Sequence, residues 1–139
     1  MPADRIERLR ASLEEFSRTG QISPDYFAPD FELHQSSSIV DTAGVFRGPG
    51  ASQASIDELS GSFENMTWEP ERFFEAPGGE LVVFIHARAR GRASGLELDN
   101  HIAWVWTFKD GKAVRMVVYE EPADALEAVG LPRSDASLP

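Results

Sequence analysis

The groups in this sequence that could do chemistry are three histidines, a cluster of arginines and a group of aromatic residues toward the C-terminus. His34 could act as an acid or a base, because an unperturbed imidazole titrates near neutral pH. The competing reading is a hydrogen-bonded structural histidine. Trp104, Trp106 and Tyr119 could wall a flat ligand, with the phenol orienting it, or could simply be core. Arg115 offers a planar fork of donors to a ligand carboxylate or enolate, and could equally close a salt bridge at the end of a sheet. Arg88, Arg90 and Arg92 alternate with small residues and read as a cross-strand charge ladder rather than a nucleic-acid stripe, because the chain is acidic. His34, His86 and His101 lack close metal-ligand spacing. His86 and His101 fall on neighbouring strands, which leaves a metal possible, but no metal and no cofactor are expected. There is no phosphate loop, serine elbow or dinucleotide fingerprint. With no cysteine at all, thiolate nucleophiles, thiolate zinc sites and disulfides are excluded.

Hydrophobic period supplies the elements that must position these groups. Asp4 to Thr19 reads as an amphipathic helix with Ile6, Leu9, Leu13 and Phe16 on one stripe, stopped by Gly20. Ser23 to Phe27 opens a turn or short helix. Phe31 to Gln35 is a strand with Phe31, Leu33 and Gln35 on one face and Glu32 and His34 on the other. Ser36 to Gly44 is a loop. Arg47-Gly48-Pro49-Gly50 breaks the chain before a second helix, Ala51 to Phe63, striped by Ile56, Leu59 and Phe63. The period then becomes two, giving strands over Thr67 to Ala76, Glu80 to Arg92, Glu97 to Lys109 and Lys112 to Glu120. Pro122 to Val129 is a last short helix closed by Gly130.

Turn chemistry sets an expected register. Asp110-Gly111 between alternating runs is a strong two-residue hairpin signal, since both central residues need positive φ. That turn pairs Lys109 with Lys112, Trp106 with Arg115, Trp104 with Val117 and Ile102 with Tyr119, all on one face. A Ser94-Gly95 turn adds Val83, Ile85, Ala87 and Ala89 to it. The opposite face carries Phe84, His86, Arg88 and Arg90, then Asp99, His101, Ala103 and Val105, then Met116, Val118 and Glu120. Arg90 then faces Asp99 and Arg92 faces Glu97. A bulge would exchange the faces beyond it.

In order and spacing these elements resemble the SnoaL-like branch of the nuclear transport factor 2-like superfamily. The resemblance is carried by YFAPDFELH at Tyr26 to His34, FRGPGA at Phe46 to Ala51, and WTFKDGKAVRMVVYEEPADALEAVGL at Trp106 to Leu131. It implies a cone-shaped α+β barrel: a strongly curved antiparallel sheet with helices on its concave face and a pocket between them. Members include polyketide cyclases, ketosteroid isomerase, dehydratases, epoxide hydrolases and non-catalytic domains, so fold alone does not decide function. Steroid isomerisation is disfavoured, because Gln35 stands where the isomerase has its base, Trp104 where it has its proton donor, and Ala11 or Ser12 near its tyrosine. The same comparison puts Gln35 and Trp104 at the pocket. The cyclase branch implies an acid at the end of the last strand, which Glu121 matches. A carboxyl at an apolar rim could move a proton at a carbon acid. Otherwise Glu121 is an exposed acid favoured by the dipole of the last helix.

With 139 residues, 42% hydrophobic and 26% charged, the chain fits one domain, residues 1–131, with a flexible tail over 132–139. The charged N-terminus is no secretory signal and no apolar run would span a bilayer, so a cytoplasmic protein is expected. A net charge of −10 argues against nucleic acid or a membrane surface as partner. Two functions stay open. One is a cofactor-free cyclase, isomerase or dehydratase acting on a small, mostly apolar carbonyl compound. There Glu121 or His34 would shuttle the proton and Tyr119 or Arg115 would stabilise the oxyanion, with Gln35, Trp104, Trp106, Arg115 and Val117 as the ligand-binding set. The other is a non-catalytic module that binds a small apolar ligand or dimerises. A homodimer is expected through Phe84, Ala103, Val105, Met116 and Val118, which would otherwise form an exposed apolar patch.

Overall fold

The computed structural model describes residues 2–19, 27–34 and 45–137. The amphipathic N-terminal stripe forms α1 (Pro2–Thr19). It is followed by β1 (Phe27–His34), β2 (Val45–Arg47) and α2 (Ala51–Leu59). The period-two region forms β3 (Phe63–Glu75), β4 (Leu81–Gly91), β5 (Glu97–Lys109) and β6 (Lys112–Tyr119). α3 (Pro122–Ala128) closes the domain, with proline in its first turn, where a missing N–H costs nothing. Beyond it, a short 3₁₀ helix, Arg133–Ser137, is held by Arg72 donating to the Asp135 carbonyl at 2.8 Å. Phe63, expected as the last buried position of α2, opens β3 instead, and β2 falls where a breaker cluster was expected to begin. Ser23 to Tyr26, Gln35 and the loop over Ser36 to Gly44 lie outside the described residues.

The six strands form one open sheet in the order β2-β1-β6-β5-β4-β3. The fold class is the α+β one expected. All strand pairs are antiparallel except β1 with β6, which run parallel. Asp110 (φ 52°) and Gly111 (φ 79°) make the tight turn that their types require, and Lys109 pairs with Lys112. Immediately beyond lies a bulge: Phe108 pairs with Ala113 but Thr107 with Arg115, so Val114 is an extra residue in β6. From there Trp106 faces Met116, Trp104 faces Val118 and Ala103 faces Tyr119. Because strand side chains alternate, this single residue moves Met116 and Val118 onto the face of the tryptophans. It moves Arg115, Val117 and Tyr119 off that face.

The β4–β5 turn is longer than Ser94-Gly95 alone. Gly91 donates to the Leu96 carbonyl and Arg90 pairs with Glu97. The register shifts by an even number, so the faces survive while the charge partners change. Arg88, not Arg90, faces Asp99, and Arg92 pairs instead with Glu64 at 3.7 Å.

Each face of the sheet carries its own core. On the concave side Leu81, Val83, Ile85, Ile102, Trp104, Trp106 and Met116 pack with Leu9 of α1, Ala51 of α2 and Phe27, Phe31 and Leu33 of β1. On the convex side Val82, Phe84, Ala103 and Val105 pack with Ala125 and Leu126 of α3. The expectation that the helices are all used on the concave side therefore fails. α3 covers the apolar patch from which dimerisation was argued, and two members of that patch, Met116 and Val118, are concave.

Candidate functional site

Between α1, α2 and the concave sheet lies a cavity of about 130 Å³. Its floor is Ile102, Trp104, Trp106, Met116 and Val118, its side walls include Phe27, Leu33 and Trp68, and its roof is Leu9, Leu13 and Phe16 with Ile56 and Leu59. The helical stripe read from the sequence is thus the roof, and the same periodicity that buries Leu9 brings Leu13 and Phe16 over the sheet. Phe16 meets Trp68 with ring centroids 5.5 Å apart, and Trp104 stands edge-on to Trp106 at 6.2 Å and 82°. Arg8 of α1 donates to the Gly111 carbonyl at 2.6 Å, tying the roof to the tip of the β5–β6 hairpin.

Among the described residues, only serines and the indoles bring polar side-chain N or O atoms to this lining: Ser12 from α1, Ser52 and Ser55 from α2. Ser52 lies in the first turn of α2, and its hydroxyl is buried with no hydrogen-bond partner among the described residues. A buried hydroxyl left in that state has both a donor and an acceptor to offer an incoming group.

Of the groups singled out from the sequence, Trp104 and Trp106 are in the cavity wall, buried. His34 is not. It stands on the outward face of β1, half-buried, and its Nε2 meets Glu32 Oε1 at 3.0 Å, while Glu32 also accepts from Arg47 Nε at 3.3 Å. The hydrogen bond from His34, and after it that from Arg47, holds the Glu32 carboxyl below its usual range. Glu121 is the exposed, extended N-cap residue of α3 and makes no side-chain cap bond. Tyr119 packs against the convex core, Val117 pairs with Val105, and Arg115 is exposed beside Thr107. The bulge accounts for all three displacements.

Sequence reasoning missed Met116 and Val118 as floor residues, Trp68 as a wall, and the serines. Helical spacing does place Ser52 and Ser55 on the face of Ile56 and Leu59, so α2 held a readable signal for them. The bulge had none. Glu120 is the bend residue between β6 and α3 and is not among the residues that line the cavity. Glu120 is half-buried, and its Oε1 is buried without a hydrogen-bond partner among the described residues.

Residues 10–116 match the family model described as the SnoaL-like domain. Solved structures share the architecture. An NTF2-like protein of unknown function from Burkholderia pseudomallei is 21% identical, with a TM-score of 0.70 over 91% of this chain and 97% of that one. TerC, co-crystallised with polyporic acid, is 21% identical, with a TM-score of 0.68 over 90% of this chain and 96% of that one. A candidate SnoaL-like polyketide cyclase from Jannaschia sp. CCS1 is 17% identical, with a TM-score of 0.57 over 78% of this chain and 76% of that one. Among curated proteins, no sequence matches. At these identities the structural likeness establishes the fold and leaves the chemistry to the site.

Proposed function

Because this chain belongs to the SnoaL-like domain family, we propose that its cavity holds a small, flat, mostly apolar molecule bearing one polar group. The observation that carries this reading is the lining: aromatic and aliphatic side chains on every side, with the buried Ser52 hydroxyl among them. An apolar cavity of comparable size, about 150 Å³, stays dry and takes up benzene. A single ring is therefore the natural occupant without movement of the roof. TerC, which was co-crystallised with polyporic acid, is a precedent for ligand binding on this architecture. A cytoplasmic location fits the reading, since a chain without cysteine suits a reducing compartment, and no described helix is long and apolar enough to cross a membrane.

Thermal unfolding with toluene and with 4-methylphenol tests the proposal. Each should raise Tm saturably, as any ligand of the native state does. The phenol should bind more tightly, and Ser52→Ala should remove that difference. Leu13→Trp, which fills the cavity from the roof, should abolish both effects. An unchanged Tm, or equal stabilisation of Leu13→Trp, refutes it.

A second reading, proton transfer at a carbon acid, rests on Glu120, whose Oε1 is buried with no hydrogen-bond partner among the described residues, rather than on Glu121 or His34. It predicts that the protein accelerates α-proton exchange of cyclopentanone in D₂O over buffer, and that Glu120→Gln loses the acceleration while keeping cyclopentanone binding. Binding without acceleration leaves the first reading and removes the second.

A further inference from the structure

The convex face of the sheet, away from the cavity, carries a cluster of metal-ligating types that spacing along the chain conceals. His86 of β4 and His101 of β5 are direct cross-strand partners, and their rings stack with centroids 4.3 Å apart and planes 14° apart. Glu71 joins them from β3. It is the extra residue of a bulge, since Pro70 pairs with Ile85 and Arg72 with Phe84. Bulges re-aim side chains, and here the Glu71 carboxylate reaches His101 Nδ1 at 2.8 Å. One ligand atom from each of Glu71, His86 and His101 lies within 4.8 Å of the other two.

We propose that Glu71, His86 and His101 form a surface site for a divalent transition ion of the zinc class. Two imidazoles and a carboxylate are the donor set such ions take, with a position left open for water. Tetrahedral zinc needs ligand atoms about 3.3 Å apart, so the cluster must tighten. Two of its members, Glu71 and His101, are exposed and free to adjust. His86 is the anchored member: its side chain is only 13% exposed, and its Nε2 is hydrogen-bonded to Asp99. That bond is the orienting contact that ligating histidines commonly make through their second nitrogen. Donation from Nε2 to Asp99 leaves the lone pair on Nδ1, and Arg88 NH2 approaches that atom at 3.3 Å. Arg88 also approaches Nε2, a contact incompatible with this tautomer. The guanidinium thus lies against the His86 imidazole, next to the cluster, on a long side chain that is 58% exposed and can swing away.

Arg88 supplies the discriminating test. Zinc chloride titrated calorimetrically into the untagged full chain should bind saturably at one site per chain with micromolar affinity. His101→Ala and Glu71→Gln should each weaken it at least about tenfold. Arg88→Ala should strengthen it several-fold by removing the competing cation. In long-range ¹H–¹⁵N spectra the ring nitrogens of His86 and His101 should shift on zinc addition while those of His34 do not. Absence of saturable binding, zinc shifts confined to His34, unchanged affinity in both exposed-ligand variants, or weaker binding in Arg88→Ala would each overturn the assignment. Circular dichroism of the variants confirms that the sheet is intact in each comparison.

Discussion

Replacing Trp104 by alanine probes the concave core and the cavity wall together. The side chain is 8% exposed, stands edge-on to Trp106 and forms part of the cavity floor. A buried aromatic removes about 150–250 Å² from water, and the lower figure at about 25 cal/mol per Å² is worth roughly 4 kcal/mol. The edge-to-face pair adds about 0.5–1.5 kcal/mol. Measured truncations of this kind cost about 3–5 kcal/mol. Trp104 belongs at the lower end, near 3 kcal/mol, because one side of its ring already looks onto open space rather than packed atoms. A domain of this size is stable by about 5–15 kcal/mol, so the variant stays folded, with Tm lowered by roughly 10 °C. Urea unfolding followed by far-UV circular dichroism measures the loss without relying on the fluorescence of the residue removed. 4-Methylphenol binding should weaken in parallel as the wall contact disappears. A loss under about 1 kcal/mol, with unchanged binding, would refute the placement of Trp104 in the concave core.

Deleting Val114 removes the extra residue of the β6 bulge and drives Arg115 and Tyr119 toward the buried floor; the expected outcome is loss of cooperative unfolding by circular dichroism. The Glu32 carboxyl has its pKa lowered by His34 and Arg47, so its stabilising contribution is present above its ordinary value of 4.5 and is lost as pH falls below it. Glu32→Gln should therefore be less stable than wild type at neutral pH and converge with it near pH 3, as read from urea midpoints. Val105 is buried under α3, so Val105→Glu should destabilise the domain by several kcal/mol whatever its assembly. A homodimer stays a proposal for light scattering, without an exposed apolar patch at Phe84, Ala103 and Val105 to argue for it.

Wherever period and turn chemistry act locally, the fold was legible. The α1 stripe, the four-strand meander and the Asp110-Gly111 turn all follow from residue types within one element, and the order of elements led to the family. What was not legible depends on residue counts between distant partners. Val114 looks like any strand residue, yet its place in the ladder decides whether Arg115 and Tyr119 or Met116 and Val118 meet the tryptophans. Local pattern likewise says that Pro122 to Val129 is a helix but not which of two apolar faces it will cover. Trp104 was placed at the pocket by the family resemblance, and Trp106 shares its face of β5 whichever way β6 is read. Glu71 was invisible as a partner of His101 because a second bulge aims it there.

The parallel pairing of β1 with β6 also bears on how the molecule assembles. β3 to β6 form a meander whose strands are neighbours in the chain, so their pairing closes only short loops. Leu33 must find Met116, and His34 must find Val117, across nearly the whole domain, and contacts of such separation form slowly. The roof and one wall of the cavity come from α1, α2 and β1, which precede the floor strands β5 and β6 in the chain. The hydrocarbon faces of α1 and α2 therefore have no sheet to settle on until the meander has folded. The cavity is then a late product of folding, enclosed only when this earlier stretch docks onto the meander.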